Sequence, residues 1–286
     1  MSAGVLGLVL LAAVFHAAWN IAAKRADGYG RVFVWAYGLA GALLLTAPAG
    51  WIIATTPGAL SWPVVAAGIV TGALHVGYGL CLQTGYAKAD LSIVYPVARG
   101  AGPVLTMAVA IAVLGERPGW LAVAGAAAIV GGIALLIARR PAGGARVGPG
   151  LVWGLATGAF IAAYTLFDGH AVNAWAPHPV VYLWLSGVVQ ALLLTPSALR
   201  RRELVAALVR LRGATVVLVG LLSSTAYLLV LVAMQRAPIS LVAPLRETSV
   251  VIGLVLARLL FREQSLGARM AGGAVVVAGT ALIALG

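Results

Sequence analysis

Ten long apolar stretches follow one another along the chain, separated by short groups of Gly, Pro, Arg and other polar residues. A bilayer core about 30 Å thick needs about 20 apolar residues per helix, and stretches of this length recur throughout the sequence. The pattern therefore predicts an all-α polytopic membrane protein with ten transmembrane helices. The predicted spans are 5–23, 32–53, 64–84, 91–114, 119–138, 150–167, 180–199, 214–234, 239–261 and 266–285.

The composition excludes an ordinary soluble domain. Hydrophobic residues make up 62% of the chain and charged residues only 9%, against about a quarter in soluble proteins. The formal net charge of +12 comes from short basic groups between apolar stretches, so we expect anionic lipid headgroups rather than nucleic acid as the partner. The single cysteine, Cys81, has no second cysteine to pair with. The sequence predicts no metal site and no cofactor.

Lys and Arg are distributed unequally between the spans. Nearly all Lys and Arg residues that lie between spans are in the odd-numbered connections, for example Arg31 and Lys88. The even-numbered connections hold only Arg117 and Arg236. Basic residues in short loops tend to stay in the cytoplasm. We therefore expect a multi-pass protein of the cytoplasmic (inner) membrane with both termini outside the cytoplasm. Tryptophans that flank the even connections fit an aromatic belt at the outer interface: Trp51, Trp62, Trp120 and Trp175.

The second half of the chain repeats the first at a distance of about 148 residues. Residues 91–96, LSIVYP, align with residues 239–244, ISLVAP, and both contain Ser-x-x-x-Pro. Each half holds an odd number of spans, so the second copy enters the membrane in the opposite direction. The sequence thus predicts two inverted five-helix repeats, 1–140 and 150–286, joined by a cytoplasmic linker at 141–149. In transporters of this plan the substrate site lies near the midplane between the repeats.

Pro96 and Pro244 occupy corresponding positions of the fourth and ninth spans. Neither can donate a backbone hydrogen bond to the carbonyl four residues earlier, so each helix is expected to bend. A free carbonyl at that depth needs water, a hydroxyl or a ligand, and a symmetric pair of breaks therefore indicates a wet cavity. Ordinary packing near a helix N-terminus is the alternative.

Three segments carry a resemblance to a known family: LSIVYP at 91–96, LGERP at 114–118 and GGIAL at 131–135. In these segments and in its layout the chain resembles the EamA-type family of the drug/metabolite transporter superfamily, including its YddG-type amino-acid exporters. The resemblance covers nearly the whole chain and implies a ten-helix exporter of amino acids or other small metabolites. Gln264 and Ser265 replace Arg117 and Pro118 in the second half, which departs from the motif at that turn.

Three ionisable side chains lie far from the ends of their spans: Arg99 in the fourth, and Arg246 with Glu247 in the ninth. An ionised group at the centre of a span costs about 2.5–3.5 kcal/mol on insertion scales, so each needs a reason. In one interpretation Arg99 or Arg246 binds a substrate carboxylate. In the other, Arg99 pairs with its repeat equivalent Glu247 and links the two halves. Adjacent helical residues point about 100° apart, so Arg246 and Glu247 cannot face one cavity equally.

Histidines, aromatics and an amide accompany these charges at helical spacings. His75 and Tyr78 share a face of the third span, and Tyr95 lies one turn before Arg99 on the fourth. A zwitterionic amino acid needs a cation for its carboxylate and aromatic faces or acceptors for its ammonium group. Packing between helices is the alternative for each residue. The predicted substrate-binding residues are His16, Trp19, Asn20, His75, Tyr78, Tyr95, Arg99, Tyr164, Tyr227, Arg246 and Glu247.

The predicted function is secondary transport, the export of amino acids or similar small polar metabolites by alternating access through a cavity between the repeats. No GxxxxGK[ST] loop is present for ATP hydrolysis. The embedded carboxylates available for proton coupling are Glu247 and Asp168, the latter predicted near the end of the sixth helix. The sequence leaves that coupling open. A passive channel or a non-transporting receptor is the alternative, and a monomer is compatible with the sequence. An enzyme is not expected, because no catalytic motif such as HExxH or GxSxG occurs.

Overall fold

The computed structural model describes residues 1–23, 26, 28–89, 91–137, 147–261 and 267–285. These residues form eleven α-helices and no strand. The helices are α1 (Ala3–Ala23), α2 (Gly30–Thr55), α3 (Trp62–Lys88), α4 (Leu91–Ala112), α5 (Trp120–Ile137), α6 (Val147–Ala174), α7 (Pro179–Leu199), α8 (Arg202–Met234), α9 (Ile239–Arg246), α10 (Ser249–Phe261) and α11 (Gly267–Leu285).

Ten spans follow from the helices of the described residues, because α9 and α10 together occupy the predicted ninth span. The predicted all-α polytopic fold is confirmed. Six helices, α1, α2, α3, α6, α7 and α8, are long and apolar enough to cross a membrane, and the apolar parts of α4, α5 and α11 are shorter. A helix suits this setting because it satisfies every backbone polar group within the segment, where lipid offers no partner.

Two helices extend well beyond the predicted spans. α6 continues to Ala174, so Asp168 lies inside the helix rather than near its end. α8 begins at Arg202 and has a kink at Arg212, where φ is −137° and ψ is 17°. Arg202 and Arg210, which the sequence placed in a connection, therefore belong to the helix. Hydropathy marks where a helix is apolar, whereas the backbone hydrogen bonds continue through polar residues that find partners or lie outside the bilayer.

The ninth span is interrupted at Glu247 and Thr248, between α9 and α10. Their amides donate to the carbonyls of Pro244 and Leu245, three residues earlier, at 3.0 and 3.1 Å. The Thr248 hydroxyl also donates to the Leu245 carbonyl at 2.8 Å. α4 is instead continuous through Pro96. The two corresponding spans therefore differ, since the fourth is one continuous helix and the ninth is divided into two. The contribution of the prolines to a wet cavity stays a prediction.

The equivalent helices α2 and α7 pack against each other in opposite directions. The indole nitrogen of Trp35, near the start of α2, donates to the hydroxyl of Thr195, near the end of α7, at 3.0 Å. Further along, the indole nitrogen of Trp184 in α7 donates to the hydroxyl of Thr46 in α2 at 3.1 Å. The start of each helix therefore lies beside the end of the other.

The equivalent helices α5 and α11 show the same relationship at a closer crossing. A Cβ atom added to Gly125 would lie 2.6 Å from the carbonyl oxygen of Gly279, and one added to Gly279 would lie 2.6 Å from that of Gly125. Ile283 covers Gly125 and Ile129 covers Gly279, which is the pattern of an antiparallel pair. Because equivalent helices run antiparallel, the two repeats are inverted relative to each other, as predicted.

Large apolar side chains cover the outer surface of the bundle. Leu43, Val113 and Leu192 are among those exposed, and Trp51 and Trp62 are 72% and 75% exposed. Soluble monomers rarely expose apolar area on this scale, whereas lipid accepts it. The outward-facing tryptophans agree with the predicted interfacial belt.

Several predicted features lie outside the described residues. They comprise most of the linker 141–149, the second-repeat turn at 263–265, the side chains of Tyr95 and Pro96, and the basic residues Lys24, Arg25, Arg139, Arg140, Arg146 and Arg262. The predicted repeat boundaries at 140 and 150 therefore stay predictions.

Candidate substrate site between the repeats

A cavity of about 400 Å³ lies between the two repeats. Its wall comes from α1 to α4 of the first repeat and from α6 to α9 of the second. The cavity begins at Arg246 and reaches Ala23, the last residue of α1, and Phe33, near the start of α2. It therefore extends from the middle of the bundle toward the face of the odd-numbered connections. Its size suits a small metabolite.

On the opposite face, Glu116 joins the two repeats. Gly115, with φ of +70°, turns the chain after α4 and places Glu116 against the start of α9. The two carboxylate oxygens accept hydrogen bonds from the amides of Ile239 and Ser240 at 2.8 and 2.9 Å. A carboxylate in this position satisfies amides that a helix leaves unpaired and complements the positive end of the helix dipole.

Arg99 and Glu247 form an ion pair across the repeats. Nη1 of Arg99 lies 3.2 Å from both carboxylate oxygens of Glu247, and its Nη2 lies 2.8 Å from Nε2 of His16. Because this imidazole nitrogen accepts from a guanidinium, His16 is neutral. Arg99 lines the cavity, whereas Glu247 is fully buried and lies behind the described wall. This is the arrangement that the sequence offered as the alternative to carboxylate binding by Arg99.

Arg246 is the second guanidinium of the cavity wall. It is 5% exposed, its Nε lies 3.8 Å from a carboxylate oxygen of Glu247, and this Nε has no hydrogen-bond partner among the described residues. Its guanidinium carbon lies 6.0 Å from the centre of the Tyr164 ring. Since one carboxylate faces two guanidinium groups and His16 is neutral, the cluster carries a net positive charge beside the cavity.

His16, Trp19 and Asn20 form one edge of the wall on α1. The Trp19 ring meets His16 edge to face with centroids 5.1 Å apart. The Asn20 amide nitrogen donates to the His16 carbonyl at 2.7 Å, which holds the amide beside the imidazole. These residues are brought together by their helical spacing, as the sequence predicted they would be.

An aromatic cluster forms the facing part of the wall. His75 of α3 stacks on Tyr164 of α6 with centroids 4.2 Å apart and an interplanar angle of 27°. Tyr227 of α8 meets His75 edge to face at 5.3 Å, and Tyr78 meets Tyr164 at 5.7 Å. The cluster offers ring faces and hydroxyl groups, the surfaces that attract an ammonium group.

The polar wall residues that the sequence analysis did not name include Tyr37, Gln83 and Gln190. Gln83 lies two helical turns after His75, so the spacing along α3 was a usable signal. Gln190 is an isolated amide within an apolar span, which is also unusual enough to notice. Nothing in the sequence distinguishes Tyr37 from aromatic residues that face lipid.

All but two of the predicted substrate-binding residues lie on the cavity wall. Glu247 lies behind it in the ion pair with Arg99. The side chain of Tyr95 is outside the described part of α4. Substrate binding by the assembled residues stays a prediction. Those on the wall are His16, Trp19, Asn20, His75, Tyr78, Arg99, Tyr164, Tyr227 and Arg246.

Comparison with known proteins gives one family and one fold. Residues 3–138 and 148–285 each match the model of the EamA-like transporter family. A solved crystal structure is similar with a TM-score of 0.78, covering 100% of this chain and 98% of that chain at 18% identity, and 29 solved chains match. At this identity the likeness concerns the fold alone. No curated protein sequence matches.

Proposed function

Because this chain belongs to the EamA-like transporter family, we propose that it exports amino acids or similar small polar metabolites across the cytoplasmic membrane. The chain is a multi-pass membrane transporter. Alternating access through the cavity between the inverted repeats is the proposed route.

The observation that supports the proposed substrate class is the unpaired, buried guanidinium nitrogen of Arg246. Its guanidinium is buried at the cavity wall, and its Nε lacks a hydrogen-bond partner among the described residues. A buried donor left unpaired is costly, and a carboxylate would supply charge-assisted hydrogen bonds to it. Arg99 already contacts Glu247 and His16, so Arg246 is the better candidate for the substrate carboxylate.

The rest of the wall supports a second group on the same solute. Tyr78 and Tyr164 contribute aromatic rings to the wall, and Gln83 and Gln190 contribute amide groups, whose oxygens can accept hydrogen bonds. An ammonium group is attracted to both kinds of surface. An amino acid joins a carboxylate and an ammonium group at the short separation that a cavity of about 400 Å³ accommodates.

The direction of the cavity supports export. It extends to the face that carries Arg31 and Lys88, which the distribution of basic residues assigns to the cytoplasm. On the other face Glu116 holds the start of α9. A solute in the cytoplasm would therefore enter the cavity first, and release outside would require the Glu116 contact to open.

Counterflow in proteoliposomes tests this function. Vesicles containing the purified chain and an excess of unlabelled amino acids are placed in trace radiolabelled amino acids, and other metabolites are screened in the same way. We expect uptake that saturates and that depends on the solute inside, because a carrier exchanges solutes one by one. Flux without this dependence would indicate a channel, and the absence of flux for every solute would indicate a receptor. Either result would overturn the proposal.

A matched set of arginine variants tests the site. Arg246→Ala should lower counterflow about 10- to 100-fold, which corresponds to the loss of a hydrogen bond to a charged group. Glu247 retains Arg99 as its ion-pair partner in this variant. Arg246→Lys should keep part of the activity because the charge remains, and Arg236→Ala, at an exposed position, should have no effect. Equal activity of Arg246→Ala and Arg236→Ala would exclude Arg246 as the carboxylate site.

A further inference from the structure

We propose that Asp168 is a proton-binding site and that the hydroxyl group of Tyr227 transmits its protonation state to the cavity. The inference rests on the proposed transport function. It adds the exchange of a proton for a solute that carries an ammonium group.

Asp168 differs from the other embedded carboxylate in its partners. It is fully buried within α6, and no cation among the described residues lies within 4.0 Å of it, whereas Glu247 pairs with Arg99. Its Oδ1 accepts a hydrogen bond from the Tyr182 hydroxyl at 2.7 Å. Its Oδ2 accepts one from the Tyr227 hydroxyl. A carboxylate held in a membrane by two neutral donors is a candidate for reversible protonation.

Of the two tyrosines, only Tyr227 reaches the described cavity wall. Tyr182 is 1% exposed and packs within the core. Tyr227 therefore both lines the solute space and contacts Asp168 through its hydroxyl group. The Tyr227 contact can therefore act on a solute in the cavity, whereas the Tyr182 contact only links helices.

The charged and titratable groups around Asp168 come from each helix packed against α6. Asp168 contacts only two of them, the tyrosines of α7 and α8, among the described residues. The others belong to the two clusters of the cavity wall or to the ion pair behind it. His170 is the exception, and its ring meets that of Trp175 edge to face. The groups are His75 and Tyr78 of α3, Arg99 of α4, Tyr164 and His170 of α6, Tyr182 of α7, Tyr227 of α8, and Arg246 and Glu247 of α9 and its end.

The orientation of the Tyr227 hydroxyl follows the charge of Asp168. When Asp168 is ionised, it can only accept, so the Tyr227 proton points to Oδ2 and the phenol oxygen offers its lone pairs to the cavity. When a proton from cavity water binds Oδ2, Asp168 becomes the donor and the Tyr227 proton turns toward the cavity. No covalent bond of Tyr227 breaks, because its hydroxyl only rotates.

The two orientations favour different solute groups. An ammonium group needs an acceptor, so it binds better when Asp168 is ionised. By linkage, binding of an ammonium-bearing solute must then favour release of the proton from Asp168. In a carrier that alternates between faces, this competition moves the solute and the proton in opposite directions.

The experiment uses proteoliposomes loaded with radiolabelled mixed amino acids, with the voltage clamped by potassium and valinomycin. An external medium one pH unit more acidic should drive export to about a tenfold gradient if one proton exchanges for one solute. The readout is the ratio of pH-driven flux to counterflow in the same vesicles, since this ratio does not depend on how much protein is folded. Asp168→Asn should reduce the ratio to its value without a pH gradient.

Two tyrosine variants form the matched control. Tyr227→Phe should lower the ratio as Asp168→Asn does. Tyr182→Phe removes the hydroxyl group that donates to the other carboxylate oxygen of Asp168, and this variant should preserve the ratio. An unchanged ratio in Asp168→Asn, or an equal loss in both tyrosine variants, would overturn the inference. Counterflow without any pH response in the wild type would also overturn it while the proposed transport function stands. Absence of counterflow would instead contradict the transport function itself.

Discussion

Arg99 and Glu247 occupy equivalent positions of the two repeats, 148 residues apart, and they bind each other. Equivalent positions of inverted repeats can meet only near the axis that relates the repeats, so this ion pair lies where α4 approaches the end of α9. One contact therefore serves both halves. Because the second repeat has Glu247 where the first has Arg99, the two positions form an ion pair rather than a repulsive pair of like charges.

Loss of either partner should destabilise the fold. Glu247→Gln leaves Arg99 and Arg246 buried without a counter-ion, which costs about 3–5 kcal/mol. For a chain of this size this corresponds to a decrease of about 10 °C in melting temperature, measured on the purified protein in detergent. The exchanged double variant, Arg99→Glu with Glu247→Arg, should recover part of the loss because the positions are equivalent. A double variant no more stable than Glu247→Gln would contradict this symmetry.

The contact between Glu116 and the start of α9 should stabilise the fold at the face of the even-numbered connections. Glu116→Gln removes the charge that complements the helix dipole and weakens two charge-assisted hydrogen bonds, so we expect a loss of about 0.5–2 kcal/mol. Thermal unfolding in detergent measures it. Arg117→Gln in the same turn is the control, since Arg117 is exposed. Equal melting temperatures for the two variants would show that the carboxylate does not stabilise α9.

A single cysteine can determine which side of the membrane the cavity opens to. Gly79 lines the cavity, and a Cβ atom there would meet nothing within 4 Å. In a background with Cys81→Ser, Gly79→Cys should react with a membrane-impermeant thiol reagent only from the cytoplasmic side of oriented vesicles. Gly131→Cys on α5, away from the cavity, is the control for general access. Labelling of Gly79→Cys from the outer side alone would reverse the orientation inferred from the basic residues.

Much of the fold could be predicted because lipid imposes a simple rule on sequence. Each span needs a long apolar stretch, and the resulting pattern gave the number of spans and the inverted repeats. Where helices continue past the apolar stretch, as α6 does beyond residue 167, hydropathy is silent. Asp168 was therefore placed near a helix end, although its two phenol partners hold it inside the bundle.

The candidate site could be predicted only in part. Helical spacing brought His75 and Tyr78 to one face, and both line the cavity. Spacing could not decide whether Arg99 contacts a solute or Glu247, because that choice depends on how close α4 comes to the end of α9. The contact between Tyr182 and Asp168 depends likewise on how close α7 brings Tyr182 to α6. Distances between helices are set by packing across the whole bundle, which a single sequence does not display.

The crossing of α5 and α11 offers a test of the inverted symmetry that does not depend on transport. Gly125→Ala and Gly279→Ala each place a Cβ atom 2.6 Å from a backbone carbonyl of the other helix, which cannot move without separating the helices. We expect each to cost about 1–3 kcal/mol, as overpacking does, and to lower the melting temperature by similar amounts because the two positions are equivalent. Gly131→Ala, where a Cβ atom would meet nothing within 4 Å, should be neutral or slightly stabilising, since Ala favours a helix over Gly. The close antiparallel contact between the repeats would be wrong if Gly125→Ala had the same melting temperature as Gly131→Ala. It would also be wrong if only one of the two variants at the crossing, Gly125→Ala or Gly279→Ala, lowered the melting temperature.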